Sequence, residues 1–345
     1  MPHEMYFENS IFITARFVVA TGLPEVIGRK SEVVDLIDPK AKYERYQLLL
    51  ETSARWGSIG GIINNKLVIG GGYACDEYFQ DCFIIGEEEK KISLKDARFA
   101  ASSVNLQDNL IWIVGGHDGF HELCSTEFID SNLKVRSGPY LPFTISWHSM
   151  VHYDEKAIYI IGGKQDCQTS SNTWIANPEN NFNITEGPGL NVARAYHCSA
   201  KMEVRGKNVI VVAGGDGEGT SLFSKRNYLN SVEILLPSSE IGWQKGPKLP
   251  FKMSTGSMVT SPTGRGVVVI GGWNNKAWTY SSALIELHGE SMKWIPLKQT
   301  LVSARVGHVV LPAPDYYDEL TNDCHGSSKI SLWEKIKQKL NKARL

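Results

Sequence analysis

Four arginines recur at corresponding places along the chain, and two of them are followed three residues later by a histidine. They are Arg55, Arg98, Arg194 and Arg305, with His197 and His308 completing the two Arg-x-x-His steps. A guanidinium group presents a planar fork of N–H donors that matches a carboxylate. One hypothesis is therefore a cationic socket for an acidic peptide segment. The alternative is structural, with each arginine pairing with a carboxylate or carbonyl of a neighbouring repeat unit.

Aromatic and polar side chains also lie in segments where loops are expected. The further candidates for a partner-binding surface are Tyr73, His117, Asp118, Trp147, Trp273 and Trp278. Tyrosine and tryptophan combine a large contact area with a polar group, and they are enriched among residues that dominate binding energy. For the three histidines at equivalent places (His148, His197 and His308), packing or hydrogen bonding inside strands is the expected role.

Motifs of catalysis, metal binding and cofactor binding were sought in the sequence. It contains no HExxH, no GxSxG, no P-loop and no CxxC pair. The segment from Gly214 to Ser221 is glycine-rich, but it has no lysine before its hydroxyl residue, which a phosphate loop requires. Asp216, Glu218 and Thr220 lack the bidentate glutamate of a calcium loop. We therefore expect no catalytic residue, no metal and no cofactor.

The elements that position these residues are hydrophobic strands ending in glycine pairs. Five such segments are LVIGG, IWIVGG, IYIIGG, VIVVAGG and VVVIGG, and a sixth, FVVATG, has Thr21 in place of one glycine. The glycines Gly22, Gly72, Gly116, Gly163, Gly215 and Gly272 follow one another at 44 to 57 residues. That period fits one four-stranded propeller blade. Apolar runs without alternation indicate strands that are buried on both faces, and the glycines indicate sharp turns near a central channel.

A second strand follows each glycine pair in phase, and a tryptophan or a Gly-Pro step marks the return of the chain in several repeats. Examples are Trp243, Trp294 and Gly138-Pro139. With the Arg-x-x-His steps, this arrangement resembles the Kelch repeat. The resemblance covers about residues 11–315 and implies an all-β, six-bladed Kelch-type β-propeller over residues 1–315. Residues 316–345 are expected to form a polar linker and a basic amphipathic tail with a short helix.

The two ends of the repeat region complement each other. Val309-Val310-Leu311 follows the last Arg-x-x-His without a further glycine strand, whereas the strand Phe17–Gly22 comes too early to have a normal preceding strand. We predict that the C-terminal strand completes the N-terminal blade and closes the ring, which removes exposed sheet edges. The competing possibility is a tight hairpin between Ser10–Thr14 and Phe17–Ala20. Both arrangements give six blades.

Charge and cysteine content limit the other classes of function. The net charge of −1 provides no general attraction for nucleic acid. Residues 329–345 carry six basic groups and one acidic group, so weak contact of this tail with a membrane surface or a partner groove is possible. No apolar run is long enough to span a membrane and no signal peptide is recognisable, so a cytoplasmic protein is expected. The six cysteines are expected to be free and buried, although Cys75 and Cys82 are close enough in sequence to bridge.

The resemblance to Kelch proteins implies a non-catalytic module that binds a protein or peptide partner on the loop face. Substrate recognition in ubiquitin-ligase complexes and cytoskeletal scaffolding are known roles of the family. Few residues precede the first strand, so no BTB or F-box domain is expected within this chain, and a monomer is expected. The alternative is an epimerase-like Kelch enzyme that acts on a small acidic sugar or similar metabolite in an arginine-lined channel mouth.

Overall fold

A computed structural model describes residues 11–13, 17–20, 23–24, 55–85, 91–107, 109–218, 227–261, 263–274, 279–281, 283–301 and 304–312. Nearly all regular structure in these residues is β. The only described helix is a short 3-10 turn, Pro178–Asn180. Within the described residues, no helix is long and apolar enough to cross a membrane. Trp278, the linker 316–328 and the basic tail 329–345 lie outside the described residues.

The strands follow one another in groups along the chain. The chain begins with β1 (Ile11–Ile13), β2 (Phe17–Ala20) and β3 (Leu23–Pro24). Blade A has β4 (Ile59–Ile63), β5 (Lys66–Gly70), β6 (Tyr73–Ala74), β7 (Glu77–Tyr78), β8 (Asp81–Ile85) and β9 (Lys91–Ser93). Blade B has β10 (Ser102–Leu106), β11 (Leu110–Val114), β12 (Thr126–Ile129) and β13 (Val135–Ser137). Blade C has β14 (Ser149–Asp154), β15 (Ala157–Ile161), β16 (Lys164–Gln165), β17 (Gln168–Thr169), β18 (Thr173–Asn177) and β19 (Asn183–Glu186).

The remaining strands complete the same pattern. Blade D has β20 (Cys198–Val204), β21 (Lys207–Ala213), β22 (Val232–Leu235) and β23 (Gln244–Lys245). Blade E has β24 (Met253–Ser254), β25 (Ser257–Thr260), β26 (Gly266–Ile270), β27 (Trp273–Asn274), β28 (Thr279–Tyr280), β29 (Ala283–His288) and β30 (Lys293–Thr300). The chain then adds β31 (Arg305–Val306) and β32 (Val309–Pro312).

Each blade is an antiparallel four-stranded sheet, and its first strand lies at the inside of the ring. The strand orders are β4-β5-β8-β9, β10-β11-β12-β13, β14-β15-β18-β19, β20-β21-β22-β23 and β25-β26-β29-β30. The inner strands β4, β10, β14, β20, β25 and β32 contact one another in succession, and β32 returns to β4. This arrangement is a β-propeller, as predicted.

The number of complete blades is smaller than predicted. Five sheets have four strands, whereas the sheet formed by the two ends of the chain is described over three strands, in the order β1-β2-β32. The expectation of six four-stranded blades is therefore corrected to five, with a three-stranded sheet beside them. In that sheet, Val309–Pro312 pairs with Phe17–Ala20, which is the pairing expected for the C-terminal strand. The competing hairpin between β1 and β2 is also present, because β2 has a partner on each side.

The apolar cores lie between adjacent sheets, and the strand sequences explain why. In β11, Ile111 and Ile113 belong to the core shared with blade A, whereas Trp112 and Val114 belong to the core shared with blade C. Successive strand residues point to opposite faces, so an apolar run without alternation supplies two cores at once. Strand β21 divides its residues between the cores with blades C and E in the same way. No ladder joins one described sheet to the next, and packing between the sheets holds the ring together with single backbone hydrogen bonds between their connections.

Candidate functional site

The glycine pairs turn the chain at one face of the propeller, which we call the glycine face. In all five described pairs both glycines have positive φ, near +60° and then +90°. The second glycine donates its N–H to a carbonyl in the next connection between blades, for example Gly72 to Arg98 at 2.7 Å and Gly163 to Arg194 at 2.8 Å. A Cβ on Gly71 would lie 2.6 Å from the Arg98 carbonyl oxygen. The predicted steric reason for glycine is therefore confirmed.

A ring of six backbone hydrogen bonds surrounds the channel at this face. Its members are Gly57, Ala100, Trp147, Tyr196, Thr255 and Gly307, and each donates its N–H to the carbonyl of the one before it, at 2.8 to 3.0 Å, with Gly57 donating to Gly307. All six have φ between 54° and 66°. This left-handed conformation is strained for bulky and β-branched residues. The ring therefore places Trp147 and Tyr196 at the channel mouth at a conformational cost.

The arginines are enclosed in the blades. Arg98 is fully buried and donates to Glu127 at 2.8 Å and to the carbonyl oxygens of Gly115 and Ser125 at 2.8 and 2.9 Å. Arg194 repeats this pattern with Glu233 at 2.7 Å and with the carbonyl of Gly214 at 2.9 Å. Burial lowers the pKa of Arg194, and the adjacent Glu233 opposes that change.

The other two arginines are enclosed as well. Arg55 is 5% exposed and binds both carboxylate oxygens of Asp81, the nearer at 2.6 Å, while Arg305 is 2% exposed. The cationic-socket hypothesis for Arg55, Arg98, Arg194 and Arg305 is therefore wrong. Arg55, Arg98 and Arg194 donate to the carbonyl oxygens of Gly71, Gly115 and Gly214 in the glycine turns, and none of the four buried guanidinium groups presents an open positive surface among the described residues.

Blades without the arginine replace the ion pair by apolar residues. Ile145 stands at the place of Arg98. Trp174 stands at the place of Glu127, since these two residues lie opposite corresponding residues of the second strand in their blades. Ile145 is fully buried in the core that Trp174 packs against. The repeat therefore requires that the space behind each glycine turn is filled. Either a buried arginine–carboxylate pair or packed apolar side chains can fill it.

The three histidines begin the inner strands and line the channel. His148, His197 and His308 are 5 to 6% exposed. Burial lowers the pKa of His148 and of His308 to about 3, and burial, Arg194 and His148 together hold the pKa of His197 well below its usual value. His197 Nε2 lies 2.8 Å from the Ser149 hydroxyl, and a Cβ on Gly162 would meet the His197 ring at 2.8 Å. These neutral side chains fill the space beside the glycine turns, as expected.

The channel forms a cavity of about 230 Å³. All six inner strands or the residues before them contribute to its wall, including Ser58, Ser102, Trp147, Met150, Tyr196 and Met258. The described residues of this wall carry no formal charge, since its only titratable bases are histidines in the neutral form. This cavity is therefore not lined by Arg55, Arg98, Arg194 or Arg305, the residues that the epimerase alternative placed at the channel mouth.

Aromatic rings from three blades and their connections meet at the glycine face. We call this surface the aromatic patch, and it comprises Trp56, Tyr73, Tyr78, Phe99, His117, Trp147 and Tyr196. Ring centroids are 4.8 Å apart for Trp56 and Trp147, 4.8 Å for Phe99 and Trp147, and 4.1 Å for Trp147 and Tyr196. Tyr78 lies 5.8 Å from Phe99 and 6.3 Å from His117. Six members are half-buried and Tyr78 is exposed, so the patch presents a continuous accessible surface.

The aromatic patch contains some of the predicted partner-binding residues and not others. Tyr73, His117 and Trp147 belong to it, and Asp118 lies in the adjacent loop, where it accepts hydrogen bonds from the backbone of Phe120 and His121 at 2.7 Å. Trp273 is half-buried in blade E and pairs with Ser254. Trp56, Phe99, Tyr78 and Tyr196 were missed in the sequence. The signal for three of them was their position one or two residues after the repeated arginine.

The cysteines and possible metal ligands do not add a second site. None of Cys75, Cys82, Cys124, Cys167 and Cys198 forms a disulfide. Cys75 and Cys167 are exposed, which corrects the expectation that all are buried, and no bridge joins Cys75 to Cys82. Burial raises the pKa of Cys82 and of Cys198 to about 12, so these thiols are protonated. Among the described residues, no group of three His, Cys, Asp or Glu could hold a metal ion.

Comparisons with known proteins support the fold. No protein-family model and no curated protein matches the chain. Among solved structures, the chain is similar to the one titled "Structure of YjhT", with a TM-score of 0.63 and 11% sequence identity. The match covers 86% of this chain and 98% of that chain. At this identity, the similarity shows the propeller fold alone.

Proposed function

We propose that this chain is a Kelch-type propeller whose glycine face binds a protein or peptide partner through the aromatic patch. The repeated glycine pairs and Arg-x-x-His steps support the family assignment. The accessible aromatic patch at the channel mouth supports the binding role, because aromatic side chains are enriched in binding hot spots. Substrate recognition or scaffolding, in ubiquitin-ligase or cytoskeletal complexes, is the role that the family resemblance suggests for a monomeric module of this kind.

The main support comes from the strained aromatic residues in the hydrogen-bonded ring. Trp147 and Tyr196 have φ of 54° and 58°, whereas Gly57 and Gly307 hold equivalent positions without strain. A left-handed conformation costs roughly 1–2 kcal/mol for a residue other than glycine. Strain of this kind concentrates at binding sites, where the side chain is needed in a particular place. The fold could use glycine at both positions, so the aromatic side chains point to a role beyond folding.

The cavity supports a partner on the rim more than a small ligand inside. Its volume of about 230 Å³ is below the roughly 300–1,000 Å³ typical of pockets that enclose a small molecule. Its wall offers neutral hydroxyl, imidazole and thioether groups. The aromatic patch is accessible at the glycine face, and two of its members, Trp147 and Tyr196, also line the cavity, which suits a macromolecular partner seated across the rim.

The test is an affinity capture from cell extract that compares two matched variants with the unaltered chain. The double variant Trp147→Ala, Tyr196→Ala removes the centre of the patch, and Ala100 already adopts the same backbone conformation with a φ of 58°. The control Tyr153→Ala removes a half-buried ring near the other end of β14, away from the glycine face. Quantitative mass spectrometry should find partners that the double variant loses and the control retains. Identical partner sets for all three folded proteins would contradict the proposal.

A further inference from the structure

The loops that carry Tyr73, Tyr78 and His117 of the aromatic patch are strongly acidic. The loops after the glycine pairs of blades A, B and C contain five carboxylates and one lysine: Asp76, Glu77, Asp118, Glu122, Asp166 and Lys164. Asp76, Glu77 and Asp166 are exposed, and Asp118 and Glu122 are half-buried. This excess of negative charge lies on one side of the channel mouth, on the same loops as Tyr73, Tyr78 and His117.

Three of these carboxylates, Asp76, Glu77 and Asp166, are exposed and available to a partner, and all five keep their negative charge without a described counter-charge. None of the five forms an ion pair with another described residue. Their hydrogen bonds leave the charge uncompensated: Asp76 accepts from the Tyr73 hydroxyl at 2.8 Å, and Glu122 accepts from the Ser146 hydroxyl at 2.8 Å. Burial alone would raise the pKa of Asp118, but the backbone N–H groups of His121 and Phe120 lower it. Asp118 therefore stays ionised.

The carboxylates and the aromatic rings are close enough to act on the same partner segment. A Cβ on Gly119 would lie 2.8 Å from the Tyr78 ring, so the loop with Asp118 packs directly on the patch. Phe120, at the tip of that loop, is 84% exposed and extends the aromatic surface outwards. The Lys164 ammonium lies 5.5 Å from the centre of the Tyr196 ring, which shows that a cation is accommodated over these rings.

We propose that the aromatic patch and its acidic loops bind a partner segment rich in arginine or lysine. This proposal rests on the proposed function and replaces the acidic segment that the enclosed arginines had suggested. Aromatic faces attract cations, and arginine stacks on them while its N–H groups bind carboxylates. Complementary charges at a rim mainly increase the rate of association and make it sensitive to salt. An acidic segment would be repelled by the same loops.

The test is selection of peptides from a random dodecapeptide phage library against the unaltered chain at low salt. The selected peptides are then measured against two triple variants with the same change in charge. Asp76→Asn, Glu77→Gln, Asp166→Asn neutralises the loops. Asn suits the positive φ of 60° and 50° at residues 76 and 166, so the fold is preserved. The control Glu203→Gln, Glu240→Gln, Glu290→Gln neutralises exposed carboxylates beside turns at the opposite face.

We expect selected peptides to be enriched in arginine and lysine. Their affinity should fall roughly tenfold for the loop variant, mainly in the association rate and with a weaker dependence on salt, and it should be unchanged for the control. Peptides that need Trp147 and Tyr196 but show no enrichment in basic residues would overturn this inference and leave the proposed function intact. Selected peptides that bind the Trp147→Ala, Tyr196→Ala variant normally would overturn both.

Discussion

Removing one partner of the buried ion pair between Arg194 and Glu233 should destabilise the protein far more than removing one partner of a described surface pair. Arg194 Nη2 lies 2.7 Å from Glu233 Oε1, and the two side chains are 0% and 2% exposed. Glu233 also accepts hydrogen bonds from the backbone N–H groups of Asn191 and Val192, at 2.7 and 3.1 Å. The carboxylate therefore joins β22, the third strand of blade D, to the connection that enters the blade.

Replacing Glu233 by Gln should destabilise the protein by about 3–5 kcal/mol, because the buried guanidinium group loses its counter-charge. The amide NH₂ of the glutamine would also face N–H donors, so some of the hydrogen bonds cannot be replaced. The matched control is Glu179→Gln. Glu179 lies 3.9 Å from Lys156, and these side chains are 51% and 72% exposed. Removing such a pair should change stability by less than about 1 kcal/mol.

The assay is urea unfolding at pH 7.5, followed by tryptophan fluorescence, for both single variants and for the double variant Arg194→Met, Glu233→Leu. Blade C already holds apolar residues at the equivalent places, so the double variant should be more stable than the sum of the single effects predicts, by about 2 kcal/mol. The single variants Arg194→Met and Glu233→Leu complete the cycle. Equal, small effects of Glu233→Gln and Glu179→Gln would refute the view that the enclosed ion pair supports the blade.

Two further predictions concern the channel. In the unfolded chain the histidines bind protons below about pH 6.5, whereas in the folded protein His148 and His308 bind them only near pH 3. The free energy of unfolding should therefore fall as the pH drops through this interval, by roughly 1.4 kcal/mol per pH unit for each histidine. The variant His148→Gln should flatten this dependence in urea unfolding, and the exposed control His121→Gln should leave it as steep as before. Gly307→Ala should cost about 3 kcal/mol, because its Cβ would lie on the Trp56 indole ring. In contrast, Gly206→Ala, with φ of 75° and no neighbour within 4 Å, should cost only about 1 kcal/mol, and equal losses for both would exclude the steric explanation.

The repeated strands and turns could be predicted from the sequence because their signals are local. A run such as Ile111–Val114 must be covered on both faces, and a glycine pair marks a turn with positive φ. The pairing of Val309–Pro312 with β2 could also be predicted, since each end lacked a partner. The number of complete blades could not, because the sixth glycine segment carries the repeated signal and yet its sheet is described over three strands only.

The functional interpretation of the arginines failed for a physical reason. Residue type and spacing show that Arg98 and Arg194 recur in phase, and they do not show on which side of the connection the guanidinium group lies. Glu127 and Glu233 lie in the strand that follows the glycine pair of each blade. Their positions determine that the charged guanidinium groups of the arginines are buried within the blades. An arginine that recurs at the same place in several blades is typical of a packing requirement, since blades that must fit together need similar interiors.

The sequence by itself determined the unit of this protein: a buried strand, a glycine turn and an arginine or apolar substitute behind it. Only the tertiary structure decided which surfaces the repeat units form together. Trp56, Phe99, Trp147 and Tyr196 are separated by more than forty residues along the chain, yet the six-membered ring of hydrogen bonds brings their side chains to one surface. Periodicity along a chain carries no information about the rotation between repeats, and that rotation places these rings and the acidic loops side by side.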